Sequence, residues 1–428
     1  MKPILEELPA ADIAEFLEEL TVDRAMPVFR SLPKETAVEV FSYFEPETQE
    51  NFITSITDEE IGRIVEELSV DDAVDMLEEL PATIVKKVLK NASAATRKTI
   101  NQFLNYPENS AGSLMTIEYV DLHDYFTVRK AMDYIRRTGI DKETVYTCYV
   151  IDDQRKLVGQ VSLRKLIIAP ESACIRDIMD TNIVSAVTTD DQEAVADDFR
   201  RYDLTSVAVC DKENRLVGII TIDDIVDVIQ DENTEDIKKM AAIIPSDEDY
   251  MKTSVWSLVA HRLPWLMLLM ISATFTSTII THFETLLSGA VLLTAFIPML
   301  MDSAGNSGSQ TSVTVIRNLA LGEIELRDWP RVLIKEIGVA VVSGAALALV
   351  NFLRIIIFTN TSMMIAAVVS VTLFCTVIIA MIVGCLLPIG AKKLGFDPAV
   401  MASPMITTIV DACSLMIYFL IASTMLGL

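Results

Sequence analysis

The sequence predicts a multidomain chain in which an all-α superhelical part and an α/β part precede an α-helical membrane part. Three observations predict it: short amphipathic segments punctuated by proline up to residue 104, an internal repeat between residues 110 and 229, and five apolar stretches after residue 258. Helical spacing of apolar residues, repeated strand–helix units and apolar runs of about 20 residues are typical of these three structures.

Charge divides the chain into two halves. The net charge is −25, and residues 255–428 hold eight acids and eight bases, so the whole excess falls in residues 1–254. Such an acidic half repels nucleic acid and attracts cations, which excludes nucleic acid as a partner. The six cysteines form no CxxC pair and only three histidines are present, which argues against a disulfide framework or a zinc site.

Residues 1–104 are predicted to form an acidic superhelix of short helices. The hexapeptide LEELPA occurs at residues 5–10 and again at 77–82. Thr57 followed by Glu60 is the spacing of a capping box, and Pro46 stands where a first helical turn accepts proline. Short helical units in series indicate a superhelical repeat.

Residues 110–229 contain a second internal repeat. Residues 155–167 match residues 214–226, and both copies are predicted as an apolar strand that leads into a capped helix. A further strand precedes each copy and ends in Asp152 or Asp211, residue types that favour turns. The repeat therefore predicts two α/β domains in tandem.

This repeat resembles a tandem pair of CBS domains, regulatory modules that often bind adenine nucleotides. The resemblance implies a first domain over residues 105–170 and a second over 171–229. Arg164 and Lys165 stand where nucleotide-binding copies often carry an Arg/Thr-Asp pair. Arg164 is the candidate nucleotide contact, and the missing acid predicts weak or absent ATP binding.

Residues 230–257 are predicted to connect the soluble half to the membrane half through a helix. Ile229, Ile237 and Met240 fall on one helical face, and acids fall on the others. An unstructured linker has no need of this amphipathic pattern.

Residues 258–428 are predicted as a membrane domain with five spans. The second span is long and carries a polar, glycine-containing stretch at Asp302–Gln310, which we expect to break the helix. The five apolar spans are approximately Leu263–Ile280, Leu286–Leu321, Val332–Phe358, Met363–Pro388 and Val400–Leu426.

The orientation follows from the loop charges. Most Lys and Arg of the membrane half fall on one side, with Arg354 as the exception, while His282, Glu284 and Asn360 mark the other side. The positive side is cytoplasmic. The acidic half, which lacks a signal peptide, is therefore expected in the cytoplasm, and an odd number of spans places the C-terminus outside.

Asp411 lies near the middle of the last apolar stretch. No Lys or Arg lies between Pro404 and Leu428, and the polar neighbours are hydroxyls such as Thr407 and Thr408. An ionised carboxylate at this depth is costly unless it faces water or a cation, and carboxylate and hydroxyl oxygens suit hard cations such as Mg²⁺. The alternative is a protonated Asp that is hydrogen-bonded inside a helix bundle.

The order of parts, together with four motifs, resembles the MgtE family of magnesium channels. The motifs are Ala111–Thr116, Gly305–Gln310, Leu326–Trp329 and Phe396–Pro398. The resemblance covers nearly the whole chain. It implies a homodimer in the cell membrane with its pore between the subunits, carrying Mg²⁺ as the transported ion.

Resemblance also assigns roles to pore residues. Asp411 would select the ion, Thr407 and Thr408 would flank it, and Asp397 would stand at the cytoplasmic mouth. Ser403 takes the place where the family usually has Asn before the proline, and Ala304 a place where Gly is common.

In the family the connecting helix acts as a plug that regulatory Mg²⁺ holds against the pore. Facing carboxylates repel one another until divalent ions neutralise them. By resemblance, the regulatory acids are Glu39, Asp71, Asp75, Asp191, Glu193, Asp203, Asp224, Asp227, Glu232, Glu235 and Asp236.

Two other functions remain open at this point. The chain could be a secondary transporter that couples divalent cations to H⁺ or Na⁺. Asp302 and Asp411 could instead form an intramembrane aspartyl dyad, although they lack the GxGD and YD settings of such enzymes.

Overall fold

The computed structural model describes residues 8–246, 250–251, 253–283, 291–359, 361–401 and 403–427. The chain divides into two compact units, Met1–Gln230 and Asp231–Leu428. Glu284 and Asn360 lie outside the described residues.

The N-terminal part consists of short helices, as predicted. Thr57 and Glu60 form the predicted capping box, and Ser69 accepts a hydrogen bond from the Asp72 amide. Phe29 contacts Phe52 edge to face at 5.2 Å within a buried apolar core. The helices are α1 Ala10–Glu18, α2 Val22–Phe29, α3 Lys34–Ser42, α4 Pro46–Ser55, α5 Asp58–Glu67, α6 Val70–Glu79, α7 Ala82–Asn91 and α8 Ala94–Phe103.

Two copies of one α/β unit follow. In each, the first strand pairs parallel to the second, and the second pairs antiparallel to the third. The first copy holds α9 Ala111–Leu114, β1 Asp121–His123, α10 Val128–Thr138, β2 Thr147–Ile151, β3 Leu157–Ser162 and α11 Leu163–Ile168. The second holds α12 Ile175–Ile178, β4 Ser185–Val187, α13 Gln192–Tyr202, β5 Ser206–Cys210, β6 Leu216–Thr221 and α14 Ile222–Met240.

Two glycines explain how the copies interlock. A Cβ at Gly159 would lie 2.5 Å from Met179 Sδ, and one at Gly218 would lie 2.6 Å from Met115 Sδ. Each methionine therefore packs onto the bare backbone of the last strand of a sheet, β3 or β6, and the repeated Met–Gly pairs give the two copies equivalent packing.

The described part of the connector is helical at both of its ends. Helix α14 begins directly after β6 and ends at Met240. Ala242, two residues later, has a left-handed backbone with φ +55°. The next helix begins at Val255 after a Ser254 cap.

The membrane half consists of long helices. Among the described residues, four segments are long and apolar enough to cross a membrane: Val255–His282, Leu326–Phe358, Met363–Lys393 and Pro398–Leu426. The helices are α15 Val255–His282, α16 Ile297–Ala320, α17 Trp329–Phe358, α18 Met363–Lys393 and α19 Ser403–Leu426.

The expected break at Asp302–Gln310 is wrong. Helix α16 continues through this stretch to Ala320, and the irregular backbone lies earlier, in a 3-10 segment over Val291–Phe296. The glycines serve close packing instead. A Cβ at Gly384 would collide with the Gly308 oxygen, so α16 and α18 meet backbone to backbone. A Cβ at Gly308 would lie 2.9 Å from Ile406 Cγ2, so the Ile406 side chain of α19 packs onto the bare backbone of α16.

Candidate functional site

Asp411 is half-buried on α19. Val410 directly before it and Ser414 about one turn after it are both buried. Thr407 and Thr408 lie one turn earlier, and each donates its hydroxyl to the Pro404 carbonyl at 3.0 Å. Their oxygen lone pairs therefore stay available to a hydrated cation. Helix α19 begins at Ser403, whose side chain is outside the described residues.

Helix α16 packs beside Asp411 through its glycines. A Cβ at Gly305 would lie 3.2 Å from Thr407 Cγ2, so the two helices approach each other closely at this glycine. Helix α16 also exposes the polar side chains of Asp302, Asn306 and Gln310, beside the face that packs on α19. A polar stripe on a membrane helix needs water or a protein partner rather than lipid.

Asp397 lies at the start of the last membrane segment and is bound to the connector. Its Oδ2 forms an ion pair with Lys239 Nζ at 2.8 Å, and Lys239 also contacts Glu235 at 2.7 Å. Partial burial lowers the pKa of Lys239, but its hydrogen bonds to Asp397 and Glu235 raise that pKa overall. An ammonium group of the chain itself thus occupies the candidate pore mouth.

Two further contacts hold the connector on the membrane half. Arg317 of α16 donates to the Asn233 side chain at 3.1 Å. Met240 packs against Ile316 and Ala399. Asp236 is also near this mouth, where partial burial and the Asp397 charge raise its pKa.

In the N-terminal unit, α6 and the start of α14 bring acids together. The buried Asp71 has one carboxylate oxygen without a hydrogen-bond partner. Desolvation, followed by the charges of Asp71 and Glu78, raises the pKa of Asp75 to about 7. Desolvation and the Asp71 charge raise the pKa of Asp224 to about 7 as well. These three residues, all predicted regulatory acids, therefore interact electrostatically.

Sequence reasoning missed a fourth member of this acidic cluster. Desolvation, with the charges of Asp71 and Asp223, raises the pKa of Glu143 in the first α/β copy to about 7. Within the described residues, no three acids, histidines or cysteines converge closely enough to hold a bare metal ion.

Two of the other predicted acids stand at the ends of a helix. Asp191 caps α13 by accepting the Glu193 amide at 2.9 Å, and Asp203 ends that helix with φ +50°. These positions match ordinary capping chemistry. The remaining predicted acids, placed on α3 and α14, are Glu39, Asp227 and Glu232.

Arg164 lines an open cavity of about 360 Å³ beside α11, together with Ser162 and Ile168. Its neighbour Lys165 forms an ion pair with Asp180 at 2.8 Å. The position that commonly holds an acid is therefore a base, and this base is already paired with an acid of the second α/β copy.

Two residues outside the predicted set carry charge where it is costly. Lys239 was not predicted as a site residue, because most charged residues of the connector are acids. Glu336 lies in α17, and the buried Thr311 of α16 donates to its Oε2 at 3.1 Å. The signal for Glu336 was available, because an acid inside an apolar span is itself unusual.

Comparison with known protein families matches the N-terminal helices, both α/β copies and most of the membrane half. Residues 297–421 match the MgtE family, described as divalent cation transporters. Residues 8–109 match the MgtE intracellular N domain, and residues 111–172 and 175–231 each match a CBS domain.

Full-length relatives are similar along the whole chain. The magnesium transporter MgtE of Thermus thermophilus is 35% identical over 430 residues, which cover 100% of this chain and 95% of that protein. The magnesium transporter MgtE of Bacillus subtilis is 34% identical over 98% of this chain and 90% of that protein. The solved cytosolic domain of the Mg²⁺ channel MgtE in complex with ATP is 36% identical, with a TM-score of 0.51 over 53% of this chain and 92% of that one.

Proposed function

Because this chain belongs to the MgtE family of divalent cation transporters, we propose that it is a Mg²⁺ channel of the cell membrane that closes when Mg²⁺ binds its acidic cytoplasmic half. The relatives are transporters, so the alternative of an intramembrane aspartyl enzyme is set aside.

The observation that carries the proposal is Asp411. It is the one acid in the sequence between Pro404 and Leu428, and it lies on the helix that packs directly on the glycines of α16. A carboxylate in this position binds a divalent cation through its water shell, with the Thr407 and Thr408 oxygens one turn below. Water bound to the ion makes these contacts without the cost of stripping the shell.

The membrane arrangement follows from the same argument. A single chain offers one polar face, and a homodimer would close that face into an aqueous path with two Asp411 side chains about one axis. With the positive loops on the cytoplasmic side, the N-terminal half would lie in the cytoplasm. Five crossings, counting the more polar helix α16, would leave the C-terminus outside.

Gating would use the acidic cluster of Asp71, Asp75, Asp224 and Glu143. Without cations these carboxylates repel, by about 1 kcal/mol for each close pair in water and more where water is partly excluded. Mg²⁺ between them removes the repulsion and favours the assembled arrangement. The unpartnered oxygen of Asp71 supports a cation in this cluster.

The connector would transmit this change to the pore. The Lys239–Asp397 ion pair and the Arg317–Asn233 hydrogen bond hold α14 at the mouth, as expected of a closed pore. Glu232, Glu235 and Asp236 on the same helix would add Mg²⁺-binding oxygens when the pore closes.

Liposomes containing purified protein test the proposal through Mg²⁺ uptake. Asp411→Ala should abolish uptake while the protein still inserts and dimerises, because no other charge in α19 replaces it. Glu323→Ala, which removes an exposed loop acid, is the control and should retain uptake. Normal uptake through a folded Asp411→Ala protein would remove Asp411 from the mechanism.

A further inference from the structure

The exposed acid Asp302 lies outside the role assigned to Asp411. It is followed at four-residue intervals by Asn306 and Gln310, which are also exposed on the same face of α16. Among the described residues, Asp302 takes part in no ion pair or side-chain hydrogen bond. An unpaired carboxylate in a membrane helix is costly in lipid, so this face requires water, a cation or a partner subunit.

Two contacts establish how α16 lies against α19. Gly305 approaches Thr407, and Leu293, just before α16, accepts a hydrogen bond from the Tyr418 hydroxyl at 2.9 Å. Residue numbers fall along one segment as they rise along the other, so the two run antiparallel.

This register fixes the height of the two acids. From the Gly305–Thr407 contact, Asp302 lies three residues away on α16, and Asp411 lies four residues away on α19, both toward the outer end. At about 1.5 Å per residue, the two positions lie roughly 4.5 and 6 Å beyond the contact. The two carboxylates therefore share one level of the membrane to within about 2 Å along the helix axes.

We propose that Asp302 is a second ion-binding carboxylate of the pore and helps to select divalent over monovalent cations. The inference rests on the proposed channel function and extends it from one acid per subunit to two. A divalent ion gains twice the Coulomb energy of a monovalent ion from each added carboxylate, whereas a neutral ring of hydroxyls gives no such preference. Asn306 and Gln310 continue the same polar face toward the cytoplasm.

Mg²⁺ uptake into liposomes tests this through the half-saturating Mg²⁺ concentration. Removal of one charge about 6 Å from a divalent ion in water corresponds to roughly tenfold in affinity. Asp302→Asn should therefore raise the half-saturating concentration about tenfold and admit more Na⁺ when Mg²⁺ is absent. Asp302→Glu should restore both properties, and the exposed-acid control Glu323→Gln should change neither.

The outcomes separate the two proposals. If Asp411→Ala abolishes uptake but Asp302→Asn leaves affinity and Na⁺ exclusion unchanged, the role of Asp302 is wrong and the channel function stands. If Asp411→Ala retains uptake, the proposed function itself fails.

A labelling measurement guards against a merely structural effect of Asp302. In Asp302→Cys, a membrane-impermeant thiol reagent should label position 302, as read by mass spectrometry, and Mg²⁺ should slow that labelling. Leu353→Cys on α17 is the control, because its side chain is 48% exposed on an apolar stretch and should resist the reagent. Absence of labelling at 302, or labelling unaffected by Mg²⁺, would overturn the inference.

Discussion

Acid should substitute for Mg²⁺ in assembling the cytoplasmic half. Asp75, Asp224 and Glu143 each have a pKa raised to about 7, first by desolvation and then by neighbouring carboxylates. In the assembled arrangement, the acids of α6, α14 and the first α/β copy lie together, and in the separated arrangement they are apart. Because the pKa values are raised only when the acids lie together, the assembled arrangement binds protons that the separated arrangement releases. In the absence of Mg²⁺, that arrangement is therefore favoured below pH 7 and lost as the pH rises through 7.

The size of the effect follows from the three pKa values. Treated as independent, each group is about 10% protonated at pH 8 and about 90% at pH 6. Protonation of all three groups together is therefore rare at pH 8 and common at pH 6. The transition is therefore steep across this range.

Limited proteolysis of the full-length protein in detergent measures the assembly. Without Mg²⁺, the N-terminal half should be cleaved rapidly at pH 8 and resist cleavage at pH 6. Millimolar Mg²⁺ at pH 8 should give the same resistance, and monovalent salt of equal ionic strength should give less, because screening alone depends only on ionic strength.

Matched variants separate this cluster from general charge effects. The double variant Asp75→Asn, Glu143→Gln should resist cleavage at both pH values without Mg²⁺. Glu59→Gln, which alters an exposed acid on α5, should behave as the original protein does. Equal cleavage of the unmodified protein at pH 6 and pH 8, or equal protection by the two salts, would refute the reasoning.

Three other predictions concern the connector and the nucleotide. Lys239→Met should remove the ion pair with Asp397, which is worth up to about 1 kcal/mol at this partly exposed position. Inhibition of uptake by internal Mg²⁺ should therefore weaken roughly two- to fivefold, whereas Lys239→Arg should retain it. Unchanged inhibition in Lys239→Met would show that this ion pair does not hold the pore closed. Neutralising Glu232, Glu235 and Asp236 together should leave conduction intact but weaken inhibition by internal Mg²⁺; an unchanged Mg²⁺ dependence would leave these acids as a solvated helix face. Calorimetry should detect weak or no ATP binding, because Lys165 replaces the usual acid, and a dissociation constant of micromolar or tighter would contradict this.

Local chemistry made much of the fold predictable. The Thr57–Glu60 capping box specifies a helix start from a few residues. The repeated segments that contain Gly159 and Gly218 likewise specify a strand in each α/β copy. The helical N-domain, the CBS pair and the apolar C-terminal helices are confirmed, as is the family.

The failures have a common cause, which is that burial by other helices is invisible in a linear sequence. The glycines near Asp302 suggested a broken helix, yet Gly305 and Gly308 lie inside a continuous one because α18 and α19 pack against them. Likewise, the role of Lys239 depends on Asp397, more than 150 residues away, and no local pattern indicates that pairing.

The central claim is that this chain is a Mg²⁺ channel closed by its own ion. Electrical recording from membranes that contain the purified protein tests it most directly, with Mg²⁺ stepped on the face that carries the N-terminal half. We expect Mg²⁺ currents with discrete openings that disappear as Mg²⁺ on that face rises to millimolar levels. Uptake without such currents, driven by a fixed exchange with H⁺ or Na⁺ and insensitive to Mg²⁺ on that face, would contradict it.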